Sequence, residues 1–221
     1  MSTAGFEFVE WEEVFLPMAN LHGGPALEDL SLLPKKARRT DKLKLKDFTS
    51  IDGKACVSQK FKDAVESLEP GAHQFSSIEL QEKDGTPIPE QYYLFNNCQA
   101  APCVLAAHSE MKPVSYTYHE NMPFYFCHST NVGLSRQVVE GWHLCGGSII
   151  LPSGCVFMSD ELFKRFKQDR LKPFRYHEAT FFDEPWMAEE NVPELVQWMK
   201  DNPELAEDKK RFFVKKSIKQ N

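Results

Sequence analysis

The chain has 221 residues, 42% hydrophobic and 26% charged, enough for one large domain or two small ones with a real core and inconsistent with a disordered polymer. The net charge of −6 is unevenly spread: residues 35–46 hold seven bases and one acid, residues 209–219 hold six bases and no acid, and the remainder therefore carries −18. Such a body favours basic partners, and residues 35–46 lack the interleaved aromatics of a nucleic-acid-binding stretch.

The opening, MSTAGFEFVEWEE, has no basic segment followed by an apolar one, so no secretory signal is expected. Phe6, Phe8 and Trp11 predict one or two opening strands, and residues 17–55 read as an irregular, charged connection. A strand ending in Cys56-Val57 then meets Ser58, a helix N-cap candidate. Phe61, Ala64, Val65 and Leu68 follow at i, i+3, i+4 and i+7, one face of a helix that Pro70-Gly71 stops. Strands are predicted near 74–81 and at Gln91–Asn96 on either side of a turn at Asp84-Gly85, and residues 97–122 are loop-rich around a short strand at Val114–Tyr118.

Further strands are predicted at Phe124–Cys127, Val138–Leu144, Ser148–Leu151 and Cys155–Met158, the last two joined as a hairpin through Pro152-Ser153-Gly154. Ser159 then repeats the cap, with Asp160 and Glu161 in the first turn and Leu162, Phe163 and Phe166 on the apolar face. A strand at Phe174–Phe182 follows, and two short helices begin with Pro-Glu-Leu at Pro193 and Pro203. Phe75 to Glu79 and Phe174 to Glu178 extend the likeness between the two serine-capped segments. The expected fold is α+β: a mostly antiparallel sheet or sheets, two serine-capped helices in a pseudo-duplicated strand–helix–strand unit, and a short helical C-terminal tail. The expected organisation is one domain over residues 1–182 with a tail, 183–221, packed on it.

Reactive constellations are sparse. Cys127-His128 and His143-x-Cys145 could offer thiolates and imidazoles to zinc, but they lack the close pairs of structural sites and lie on apparent strands whose neighbours point to opposite faces. Cys98 and Cys103 near His108 are the only hint of a cysteine hydrolase, and Gly147-Ser148 and Gly133-Leu134-Ser135 complete no nucleophile elbow. Gly146-Gly147 has neither phosphate-loop nor dinucleotide spacing. Glu79 and Glu178 could meet as paired carboxylates if the two units are symmetric. Without an export signal, all six cysteines are expected as free thiols. No catalytic residue, cofactor or metal is expected. The longest uncharged apolar run, Cys145 to Met158, is too short and too rich in glycine to span a bilayer.

The segment VSQKFKDAVESLEPGAHQFSSIEL, residues 57–80, together with YYLFNN and the later CVFMSDELFKRFK, resembles the bacterial polymorphic-toxin immunity family number eleven. The resemblance covers roughly residues 40–182 and rests on structural motifs, with no catalytic set to carry over. It implies an antidote that binds a cognate protein toxin encoded by the neighbouring gene; with no secretory signal expected, that toxin should act in the cytosol, and the sequence itself points to neither nucleic acid nor membrane as partner. The alternatives are a small hydrolase or metal-dependent enzyme built on the Cys/His strands, or an adaptor of a secretion apparatus. For the partner contact, the residues themselves point to Asp183, Glu184, Trp186, Met187, Glu189 and Glu190, where an aromatic and a methionine sit among acids as in an interface core with a charged rim. The competing reading packs Trp186 and Trp198 against the body.

Overall fold

The computed structural model describes residues 5–9, 26–42, 44–116, 121–128, 130–148, 150–151, 156–171, 176–209 and 213. Its first half is a sheet with one helix on it. Strands β1 (Phe6–Phe8), β2 (Lys36–Arg39), β3 (Phe48–Ile51) and β4 (Lys54–Ser58) precede helix α1 (Gln59–Glu66), and β5 (Gln74–Gln81) and β6 (Tyr92–Asn96) follow it. They form one six-stranded sheet in the order β1-β2-β5-β6-β4-β3, antiparallel except for the β2–β5 pair.

Alternation along β4 decides its two faces: Cys56 points into a cluster with Phe6, Ala37, Ile78 and Leu94, while Ala55 and Val57 face α1. The α1 stripe falls as predicted, with Phe61, Ala64 and Val65 buried and the Ser58 hydroxyl accepting from the Phe61 amide at 3.3 Å. Two strands, β2 and β3, lie inside the run expected to be irregular, and β4 begins at its end. The basic stretch is part of the sheet there: only Ala37 of β2 is buried, Arg39 bonds Glu82 at 2.8 Å, and the Arg39 guanidinium lies 5.1 Å from the centre of the Phe6 ring.

The second half is built from smaller pieces. Strands β7 (Ala100–Ala101), β8 (Met111–Tyr116), β9 (Met122–Cys127) and β10 (Gly133–Ser135) lead to a single helical turn, α2 (Arg136–Val139). Strands β11 (Leu144–Gly147), β12 (Ile150–Leu151) and β13 (Val156–Met158) then lead to α3 (Asp160–Gln168), and β14 (Thr180–Phe182) to α4 (Ala188–Asn191), α5 (Pro193–Asp201) and α6 (Pro203–Lys209). Three sheets result, β13-β11-β7, β12-β9-β8 and the parallel pair β10-β14. The fold is α+β with mostly antiparallel pairing, as the sequence predicts.

Two local expectations are corrected. Val138–Leu144 is not a strand: the chain makes α2, turns at Gly141 with φ at +80°, and enters β11 only at Leu144. Ile150–Leu151 and Val156–Met158 are not hairpin partners either, because the first runs parallel to β9 and the second antiparallel to β11. Residues 152–155, which hold the expected turn, and Trp11 lie outside the described residues.

The two serine-capped helices meet. Ser159 accepts from the Leu162 amide at 3.1 Å, Leu162 and Phe166 are buried, and the Phe166 ring lies 5.1 Å from that of Phe61 in one shared cluster. Buried Glu69, just past α1, ties the units together by accepting from the His143 amide at 2.6 Å while its other oxygen lies 3.1 Å from His73 Nε2. The segment after α3 departs from the likeness: among its described residues the strand is Thr180–Phe182, and it pairs with β10 instead of the sheet of β13. Phe174 lies outside the described residues.

Candidate partner-binding site

The residues from β14 to α4 form a ledge along the second half, and each part of it is held from below. Phe182 stacks on the His108 ring at 3.6 Å with the planes 8° apart, and His108 Nε2 sits 3.0 Å from Glu184 Oε1. That approach requires glycine at position 133, where a Cβ would fall 2.3 Å from the Cβ of His108. The Ser135 hydroxyl donates to the Glu184 carbonyl at 2.6 Å, and Arg136 Nε donates to Asp183 at 2.8 Å while its guanidinium lies 5.3 Å from the centre of the Phe181 ring. Asn191, buried at the end of α4, accepts from the Ala106 amide at 2.7 Å.

Trp186 is the strut of the ledge. It is half-buried, its indole N–H donates to the Val104 carbonyl at 3.0 Å, and its ring packs against the cluster that includes Val104, Val192 and Leu195. The sequence pairs Trp186 with Met187 as contact residues; the structure separates them, because Met187 is 47% exposed. Phe181, which sequence reasoning passed over, is 40% exposed on β14. Asp183, Glu184, Glu189 and Glu190, in the same stretch of chain, are all exposed. Five hydrogen bonds hold this segment to the body, and its exposed residues include two large apolar side chains and four acids.

The groups weighed for chemistry lie elsewhere and are built into the core. Cys103 is wholly buried, and burial drives its thiol well above the ordinary range, with Cys145 and Cys127 adding to the effect. Burial pushes the Cys98 thiol up to about 12, so neither sulfur is a thiolate at neutral pH. His108 serves Glu184 and Phe182. His143 Nδ1 lies 2.8 Å from the Ser159 hydroxyl, but the nearby carboxylate of Glu161 approaches that same nitrogen at 4.0 Å, so no relay runs through the ring. Glu79 is exposed on β5, where it accepts from Gln81, and Glu178 is exposed just before β14. Among the described residues no group of three or more His, Cys, Asp and Glu side chains is arranged to hold a metal ion. No helix among them is long and apolar enough to cross a membrane.

The chain belongs to the Immunity protein family (Imm11), whose model matches residues 16–180. No match is found among curated proteins. The matched span ends at Thr180, the first residue of β14, so nearly all of the ledge lies beyond it. That position explains why the ledge residues are absent from the motifs that carry the resemblance.

Proposed function

We propose that this chain is the antidote to a secreted bacterial protein toxin, which it neutralises in the cytosol of the producing cell and its kin by direct contact. The observation that carries the reading is the family match over residues 16–180. The acidic ledge supports it physically: exposed acids accelerate encounter with a basic partner, and Phe181 and Met187 supply desolvated area once it has docked. The toxin is the product of the gene beside this one, since an antidote that acts by stoichiometric binding must be made wherever its toxin is made.

Co-expression tests the reading. Cells producing the neighbouring gene's toxin domain in the cytosol should stop growing, and this chain should restore growth and co-purify with the toxin at a fixed stoichiometry. Growth arrest that persists despite abundant soluble antidote would refute it.

A further inference from the structure

Strand β8 has six residues and is the longest strand at the edge of a sheet among the described residues, where it pairs with β9 alone. The other edge strands have two to four residues, and β3, the longest of them, is buried at Thr49, Ser50 and Ile51. Along β8, by contrast, Lys112, Pro113 and Ser115 are exposed. Such an edge offers a row of backbone donors and acceptors to any strand that comes alongside. A proline stands near its middle.

The register decides which side of the strand that proline affects. Residues opposed across an antiparallel pair alternate between those that exchange backbone bonds and those that turn their backbone groups outward. The His128 amide donates to the Glu110 carbonyl at 3.0 Å, so the bonded pairs continue with Lys112 opposite Phe126 and Val114 opposite Phe124. Met111, Pro113 and Ser115 therefore direct their backbone groups away from β9, onto the open side. The ladder with β9 loses no bond to Pro113, which is why proline is tolerated at this position. On the open side the Met111 amide already donates to the Ser109 carbonyl at 3.0 Å, and Pro113 has no N–H. Among the described residues this leaves the Ser115 amide as the one outward donor of residues 111–115. Two copies meeting antiparallel at position 113 would set proline against proline and forfeit both central bonds.

We propose that Pro113 closes the open side of β8 to strand pairing and so keeps copies of this chain from joining edge to edge. Nothing in this depends on the antidote reading, since it concerns contacts between copies of the chain alone.

Sedimentation velocity on the whole protein, run from about 5 to about 500 μM, tests the guard. Pro113→Val and Pro113→Thr each restore an outward N–H on a residue suited to strands, one apolar and one polar. Both should show a sedimentation coefficient that climbs with concentration, with self-association about tenfold or more tighter than in the parent, the worth of two restored bonds. Pro113→Val/Ser115→Pro returns a proline to the same side of the strand and should behave as the parent does. Circular dichroism confirms that each variant is folded, and if the valine variant is not, the threonine variant with and without Ser115→Pro decides. Association no stronger than the parent's, or association that Ser115→Pro leaves in place, would overturn the proposal. So would association of the valine variant but not the folded threonine variant, which would trace to added apolar surface. A failed rescue in cells would leave the sedimentation result standing, and unchanged sedimentation would leave the antidote reading standing.

Discussion

Ser58 donates its hydroxyl proton to the carboxylate of Asp47 across 2.6 Å, and its amide donates to the carbonyl of that same residue at 2.9 Å. A hundred residues later the arrangement returns: the Ser159 amide donates to the His143 carbonyl at 2.9 Å, and the Ser159 hydroxyl lies 2.8 Å from His143 Nδ1. In each case the bonded residue immediately precedes a strand, β3 or β11, that pairs antiparallel with the strand leading to the serine. The likeness thus extends backward from the helix into a strand pair that the sequence does not reveal, since Asp47 and His143 differ in type and in distance from their serines.

The chemistry of the two caps is unequal, and this sets the first prediction. Ser58→Ala loses the cap and a bond to a carboxylate and should cost about 2 kcal/mol; Ser159→Ala should cost about 1 kcal/mol. Urea denaturation of both variants checks the order. Asp47→Ala should cost less in the Ser58→Ala background than alone, because the shared bond is already gone.

Phe61 is 2% exposed and meets the rings of Phe166, Phe95 and Phe48 at 5.1, 5.4 and 5.7 Å. Phe61→Ala should therefore cost about 3–5 kcal/mol, the lost transfer energy plus a cavity between α1 and α3. Phe163→Ala, at a half-buried site on the same face of the second helix, should cost clearly less. Equal losses in chemical denaturation would contradict the packing described.

How far the sequence carried depends on how local each cause is. The Ser58 cap and the Phe61, Ala64 and Val65 stripe are written within eight residues, and both were legible. β2 was hidden because its inward side is a single alanine, Ala37, so KARR reads as a charge run; its place comes from β1 and from the parallel neighbour β5. β12 and β7 are two-residue strands paired in parallel with distant segments, which leaves no turn signal. Ser135 marks α2 poorly because its hydroxyl caps nothing and goes to the Glu184 carbonyl. In the ledge, the acids and Met187 could be picked out by composition. The inward role of Trp186 depends on Val104, 82 positions away, and the part played by His108 depends on Gly133 and Phe182.

The division of labour on the ledge gives the third prediction. Trp186→Ala should lower stability by about 3 kcal/mol, since a packed ring and a hydrogen bond are lost together. Phe181→Ala and Met187→Ala should leave the melting temperature nearly unchanged and weaken toxin binding by about 1–2 kcal/mol each. Calorimetric melting beside binding titrations separates the two effects, and the reverse pattern would move the interface off this ledge.

Alkaline pH should unfold the protein earlier than its carboxylates and lysines alone imply. Cys98 is lifted from 9.0 to about 12, and Cys56 and Cys103 are raised further by complete burial. A thiol with a raised folded pKa contributes stability that is fully present below its unfolded pKa and is lost as pH climbs toward the folded value. The loss should begin near pH 9 and run at about 1.4 kcal/mol per pH unit for each thiol. Denaturant titrations at pH 7, 9 and 10.5 check the slope; a flat profile would mean that these sulfurs are not buried. Under denaturing conditions at neutral pH all six cysteines should titrate as free thiols.

The central claim is that this chain silences a protein toxin by occupying it. Titrating the purified toxin domain's own activity with purified antidote tests that most directly. A linear fall to complete inhibition at a fixed molar ratio, with Glu189→Lys/Glu190→Lys slowing its onset at low salt, is the expected result. Full toxin activity in the presence of a large molar excess of folded antidote would contradict the account.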